Sequence, residues 1–188
     1  MERHEYFKRF HDIGQVDYDL LTRNLKTKTF KKGDLITVPG QIQRSLYFVN
    51  SGVQMSFFDA NNKTHVVAFT YPPNLCAIPE SFSFQVPSKH FLTCLTNSEL
   101  EYITFDELQK LFDQSQQIER LFRRMTEAVL AGMINRHLEL HSMTIEERYK
   151  SFCQRSSHLL RFVPHKHIAS YLGIDPTNFS KLFNTVKF

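Results

Sequence analysis

The sequence predicts an α+β chain: an antiparallel β sandwich or barrel in the first half, a long helix after it, and two short helices joined by a tight turn. Three observations carry this. Short β-branched and aromatic segments separated by turn residues fill residues 45–104. At Thr104 the pattern changes to helical spacing. Near the end, "IASYLGIDPTNF" (168–179) places one of the chain's six glycines between two apolar helical patterns.

Taken in order, residues 4–25 read as a helical lead-in. The segments "SLYFV" (45–49), "VQMSFF" (53–58), "HVVAFT" (65–70), "FLTCLT" (91–96) and "LEYIT" (100–104) read as strands. Turn signals punctuate them: Lys32-Gly33-Asp34, Pro39-Gly40, Asn50-Ser51-Gly52 and Asp59-Ala60-Asn61-Asn62. Many short strands at regular spacing argue for a sandwich or barrel.

Thr104 and Glu107 form a capping box that opens a short helix to about Phe112. Asp113 and Gln116 share that spacing and open a longer helix. In it Ile118, Leu121, Met125, Ala128 and Gly132 recur at three and four residues, with Phe122, Val129 and Met133 widening the stripe. Such a seam packs on the chain's own β domain or on a second copy. Ala128 and Gly132 are small enough for another backbone to come close. A third box, Thr144 and Glu147, opens a helix to about Arg155, with a break at Ser156-Ser157.

Pro164 suits a first helical turn, with Ile168, Ala169 and Leu172 as an inner face. Gly173 supplies the positive φ that ends this helix. Asp175 is an N-cap and Pro176 a first helical residue, and Phe179, Leu182 and Phe183 form the next inner face. Two helices on a three-residue glycine turn make a helix-turn-helix, with Ala169 small where they cross. Thr177, Asn178, Ser180, Lys181 and Asn184 are then exposed hydrogen-bonding side chains suited to base edges in double-stranded DNA, and Lys166 suits a phosphate. The competing reading is an ordinary αα-hairpin with a polar wet face.

Composition agrees. The formal charge is only +4, but after residue 144 Arg148, Lys150, Arg155, Arg161, Lys166, Lys181 and Lys187 oppose Glu146, Glu147 and Asp175. That is the footprint expected of a nucleic-acid binder. The charged start "MERHEYFKRF" is not a signal peptide. "AVLAGMI" (128–134) is far short of the ~20 residues a membrane span needs. Cys76, Cys94 and Cys153 fit neither a disulfide framework nor a metal spacing, so a cytoplasmic protein with reduced thiols and no membrane partner is expected.

The order of these elements resembles the Crp/Fnr superfamily of bacterial transcription regulators over essentially the whole chain. "KKGDLITVPG" (31–40) and "LYFVNSG" (46–52) resemble its roll turns and strand. "ERYKSF" (147–152), "VPHKHIASYLGI" and "FSKLF" resemble the compact branch common among Bacteroidetes. The resemblance implies an N-terminal double-stranded β-roll (jelly roll) sensor over 1–113, a dimerisation helix over 114–143 with Ile118, Leu121, Met125, Ala128 and Gly132 at the interface, and a winged-helix-like helix-turn-helix domain over 144–188. It also implies a homodimer on a pseudo-palindromic site, RNA polymerase as a further partner, and a small-molecule effector in the roll.

In members that bind cyclic nucleotides, a glycine–glutamate pair and a following arginine hold the ligand. The matching stretch here is "IPESFSFQVPSKHF" (78–91), with Glu80 at the glutamate position, Pro79 replacing the glycine, and Ser88 and Lys89 where arginine is expected. Cyclic AMP is therefore not the expected effector. No cofactor is expected either, since an iron–sulfur cluster needs four cysteines. The alternatives are a cupin-like metal-dependent enzyme, or a cyclic-nucleotide sensor that does not bind DNA. For the first, His65 and His90 stand isolated, and His165 and His167 would point apart on a helix. The chain is expected not to be an enzyme.

Overall fold

Residues 2–186 are described by a computed structural model. Eight strands, β1 (Lys26–Phe30), β2 (Leu35–Thr37), β3 (Ser45–Ser51), β4 (Gln54–Ala60), β5 (Lys63–Thr70), β6 (Leu75–Cys76), β7 (Phe91–Cys94) and β8 (Ser98–Thr104), form two four-stranded sheets. Their orders are β1-β8-β3-β6 and β2-β7-β4-β5, and every pairing is antiparallel. The five expected strands are present, and β1, β2 and β6 join them. β1 reads "KTKTF", buries only Phe30, and lies at an edge against β8. β2 and β6 are three and two residues long, too short to show a period.

One core cluster, including Phe30, Tyr47, Val49, Ile78, Leu92 and Leu100, lies within the roll. The β4–β5 hairpin turns through Asn61 and Asn62 at φ 52° and 57°, as a two-residue turn with positive φ demands. Beyond it the register passes from Phe57↔Val66 to Ser56↔Ala68, leaving Val67 as the extra residue of a bulge. Gly52, at φ +90°, lies so close to β8 that an added Cβ would sit 2.2 Å from the Ser98 hydroxyl.

The lead-in is two helices, α1 (Arg3–Lys8) and α2 (Gln15–Thr22), and a further short helix, α3 (Pro79–Phe84), follows β6. α4 (Phe105–Gln114) starts on the expected Thr104–Glu107 box. α5 (Gln116–Ser142) is capped by Ser115, whose hydroxyl accepts from the Ile118 amide, so the Asp113–Gln116 box does not form. The cap falls where α4 ends, and the shorter serine side chain reaches the amide three residues on.

α5 turns three residues of the expected seam inward. Ile118 and Leu121 are fully buried and Met125 nearly so, packed with Phe7, Ile13, Leu21, Phe48 and Leu108 in the chain's own second core. Each contributes about 1.5–3 kcal/mol to that core. Ala128 and Gly132 are exposed, and a Cβ on Gly132 would meet nothing within 4 Å. The apolar side that α5 leaves uncovered takes in Val129 and Met133, from the margin of the expected stripe, with Leu130, Ile134 and Leu138; all five are 51–59% exposed.

α6 (Ile145–Ser156) begins on the Thr144–Glu147 box, runs into a 3-10 turn (Ser157–Arg161), and is followed by α7 (His165–Leu172) and α8 (Pro176–Thr185). Among the described residues no strand accompanies these C-terminal helices. Their core, centred on Tyr149, Phe152, Leu159, Ile168, Leu172 and Phe179, also takes in Val53, Phe69 and Leu95 from the roll.

Candidate nucleic-acid interface

The turn between α7 and α8 follows the local chemistry of its residues. Gly173 adopts φ +63°, and the Ile174 amide donates to the Ala169 carbonyl at 2.9 Å, closing the helix end. Asp175 then caps α8 by accepting from the Thr177 amide at 2.8 Å, with Pro176 in the first turn. Ile168, Ala169 and Phe179 are fully buried where the helices cross, and Phe179 meets Tyr149 edge-on at 5.5 Å. Leu182 is half-buried. Phe183 stays 40% exposed, with the His165 ring 4.3 Å away, so it lies at the rim of the expected inner face. His165 is thus half-buried and tilted against both rings, 5.4 Å from Phe179 and 4.3 Å from Phe183.

Burying Phe179 turns the opposite side of α8 to solvent. Thr177, Asn178, Ser180, Lys181 and Asn184 are all exposed there, and Lys166 is exposed on α7. Asn178 and Lys181 are one turn apart, so they point the same way. The Ser180 hydroxyl donates back to the Pro176 carbonyl at 3.0 Å.

The basic tally of this region divides once partners are assigned. The Arg148 guanidinium is buried and donates to the carbonyls of Met143, at 2.7 Å, and Gly173, at 3.2 Å, tying α6 to the helix ends around it. Arg155 pairs with Glu139 and Lys150 with Glu146. Glu139 is drawn below the usual carboxylate range chiefly by its hydrogen bond from Arg155. Among the described residues Arg161, Lys166 and Lys181 carry no ion pair, and Lys187 lies outside them. The cationic face available to a phosphate backbone is therefore smaller than the composition suggests.

The helix pair is docked on the roll along β5, the edge strand of its sheet. The Ser170 hydroxyl accepts from the Val66 amide at 3.0 Å and donates to the Thr64 carbonyl at 2.8 Å. Arg136, reaching from α5, donates to Val67 at 2.5 Å and Tyr171 at 2.6 Å and lies 3.9 Å over the Tyr171 ring. Burial lowers its pKa from the ordinary arginine value. Beside it Phe69, Tyr71, Phe152, Arg155 and Tyr171 line a cavity of about 70 Å³. Sequence reasoning missed Ser170 and Arg136. For Arg136 a signal existed: a cation continuing the Met125 and Gly132 stripe needs acceptors on the face it is turned toward.

Of the three expected effector residues, two meet and the third is turned inward. Glu80 and Lys89 pair with each other at 3.5 Å, with side chains 43% and 78% exposed. Ser88 is buried in a turn, its hydroxyl accepting from the His90 amide and donating to the His90 carbonyl. Behind them sits Gln43, 3% exposed and unmarked by any sequence signal. Its side-chain oxygen accepts from the Ile78 amide and the Thr37 hydroxyl, and its backbone N–H donates to the Ser81 hydroxyl. The backbone donors at Ile78, Ser88 and His90 are thus already used within the chain. His65 and His90 both pack against Phe58, at 4.9 and 5.9 Å between ring centroids.

Solved structures share this architecture. FixK2 from Bradyrhizobium japonicum superposes with a TM-score of 0.75 at 17% identity, covering 85% of this chain and 83% of its own. A putative transcriptional regulator of the Crp/Fnr family from Eubacterium rectale gives 0.70 at 16%, over 96% and 86%. The catabolite activator protein of Thermus thermophilus gives 0.59 at 17%, over 93% and 84%. At these identities the likeness is one of fold: the chain has the β-roll, long helix and helical C-terminal part of Crp/Fnr regulators. No protein-family model and no curated protein sequence matches it.

Proposed function

We propose that this chain, built on the Crp/Fnr regulator fold, is a homodimeric, sequence-specific DNA-binding transcription regulator. The observation that carries this is α8: capped at Asp175, anchored by the buried Phe179, and exposing Thr177, Asn178, Ser180, Lys181 and Asn184 together. A helix held this way enters the major groove with its N-terminal residues toward base edges. Lys181 can donate to guanine O6 and N7, and Asn178 can bond adenine through both amide atoms. Lys166, exposed on the preceding helix, is the proposed phosphate contact.

The second half of α5 supplies the dimer seam. Leu130, Met133 and Ile134 form an apolar side that the protomer leaves bare, directed away from the side that Met125 and Arg136 turn to the roll. A second copy covers this face with the same residues, as a two-fold interface requires. Two reading helices then meet half-sites about one helical turn, ~34–36 Å, apart. The Gln43 network and the Glu80–Lys89 pair support a roll that takes no cyclic nucleotide and serves as scaffold.

The test is selection of bound fragments from random double-stranded DNA, followed by two variants. Lys181→Ala should lose roughly 1–3 kcal/mol on the selected site and little on random DNA. Lys166→Ala should weaken both alike and lower the salt slope by about one. If Lys181→Ala weakens both DNAs equally, or neither, α8 is not the reader.

A further inference from the structure

The bare side of α5 does not end in aliphatic residues. Leu130, Ile134, His137 and His141 follow one another at intervals of four, three and four, so the two histidines continue the stripe that the leucine and isoleucine begin. Both are exposed, and their rings stand 4.4 Å apart, centroid to centroid, at 59°. Histidines four apart on one helix face can both ligate one ion.

Within one chain the set is incomplete: among the described residues no three histidine, cysteine, aspartate or glutamate side chains gather as a metal site. A second copy changes that. In a parallel two-stranded pairing each position of the stripe meets its own copy. Leu130 and Ile134 then make apolar layers, and the next two layers hold two imidazoles from each helix. Removing their ring nitrogens from water is costly unless each finds a partner. A cation accepting four imidazoles supplies all four partners at once, and four nitrogen ligands match the tetrahedral preference of zinc.

We propose that His137 and His141 of two protomers form a four-histidine site for a divalent late transition metal, zinc foremost, closing the end of the dimer seam. The site rests on the dimer reading above, because neither half is complete alone. It makes the α5 contact metal-dependent, and with it the spacing of the two reading helices.

The experiment uses the untagged full chain, stripped of metal, with zinc chloride as probe. Sedimentation and zinc titration should give one zinc per pair of chains, and zinc should tighten dimerisation by about tenfold or more. Cobalt(II) in its place should show the intense visible bands of a tetrahedral centre. His137→Gln with His141→Gln, both at exposed positions, should keep the fold and the metal-free association yet lose the zinc response. His165→Gln with His167→Gln should retain it. One zinc per chain with unchanged association overturns the site, as does a full zinc response in the His137/His141 double variant. A metal-free dimer indifferent to zinc overturns the site and leaves the dimer standing. A chain that stays monomeric with and without zinc overturns both.

Discussion

Replacing Arg136 by methionine keeps most of the side-chain volume and removes the guanidinium that joins α5, β5 and α7. Two short bonds are lost, to Val67 and Tyr171, together with a longer one to Val66 at 3.4 Å. Each short bond from a charged donor is worth roughly 1.5–3 kcal/mol, and the stacking on Tyr171 about 2 kcal/mol where water is excluded. Against this, a buried guanidinium no longer has to be desolvated, which returns several kcal/mol. The balance predicts a loss of about 2–4 kcal/mol. Arg136→Lys should recover only part of it, because an ammonium cannot address two carbonyls with a planar fork. Urea unfolding followed by far-ultraviolet circular dichroism and by tyrosine fluorescence measures both variants. A cost below about 0.5 kcal/mol, the range of an ordinary surface substitution, would refute the reasoning.

Gly52→Ala should cost about 3 kcal/mol or more, since the new Cβ meets the Asn97 carbonyl at 2.6 Å and Ser98 Cα at 2.8 Å in a left-handed backbone; thermal melts read this directly. Glu107 is held at about 2, below its ordinary 4.5, first by the Thr104 hydroxyl and then by the Thr104 amide and Lys26. Its folded value is depressed, so its contribution is complete above about 4.5 and is lost as pH falls toward about 2. The stability gap between wild type and Thr104→Ala should shrink across that window. Leu130→Glu should give a folded monomer in sedimentation. Met125→Glu should unfold the protomer itself, because Met125 is 7% exposed within its own core.

The helix-turn-helix was legible because its signals are local. Gly173, Asp175 and Pro176 act within a few residues of one another, and each takes the cap or turn role that its side chain suits. The strands were legible where β-branched and aromatic residues cluster, but not in β1, whose lysines and threonines stay exposed at a sheet edge. The face of α5 was not legible, because period alone cannot say what covers a stripe. Ile118, Leu121 and Met125 repeat as a dimer seam would, yet α1, α2 and the roll take them. Gln43 and Arg136 stayed hidden because their partners are 35 and 69 residues away in the chain.

The hydroxyl of Ser170 and the guanidinium of Arg136 occupy an amide and carbonyls along β5, on the side where no further strand lies. A strand border of that kind is a template on which foreign chains can add. The C-terminal helices therefore act as a guard rail for the roll. Any motion that carries α7 outward uncovers a sticky margin, and water must replace each lost partner at once. A nascent chain halted before Ser170 is made would carry the same unguarded margin, which locates a risk of misassembly at a definite moment in synthesis.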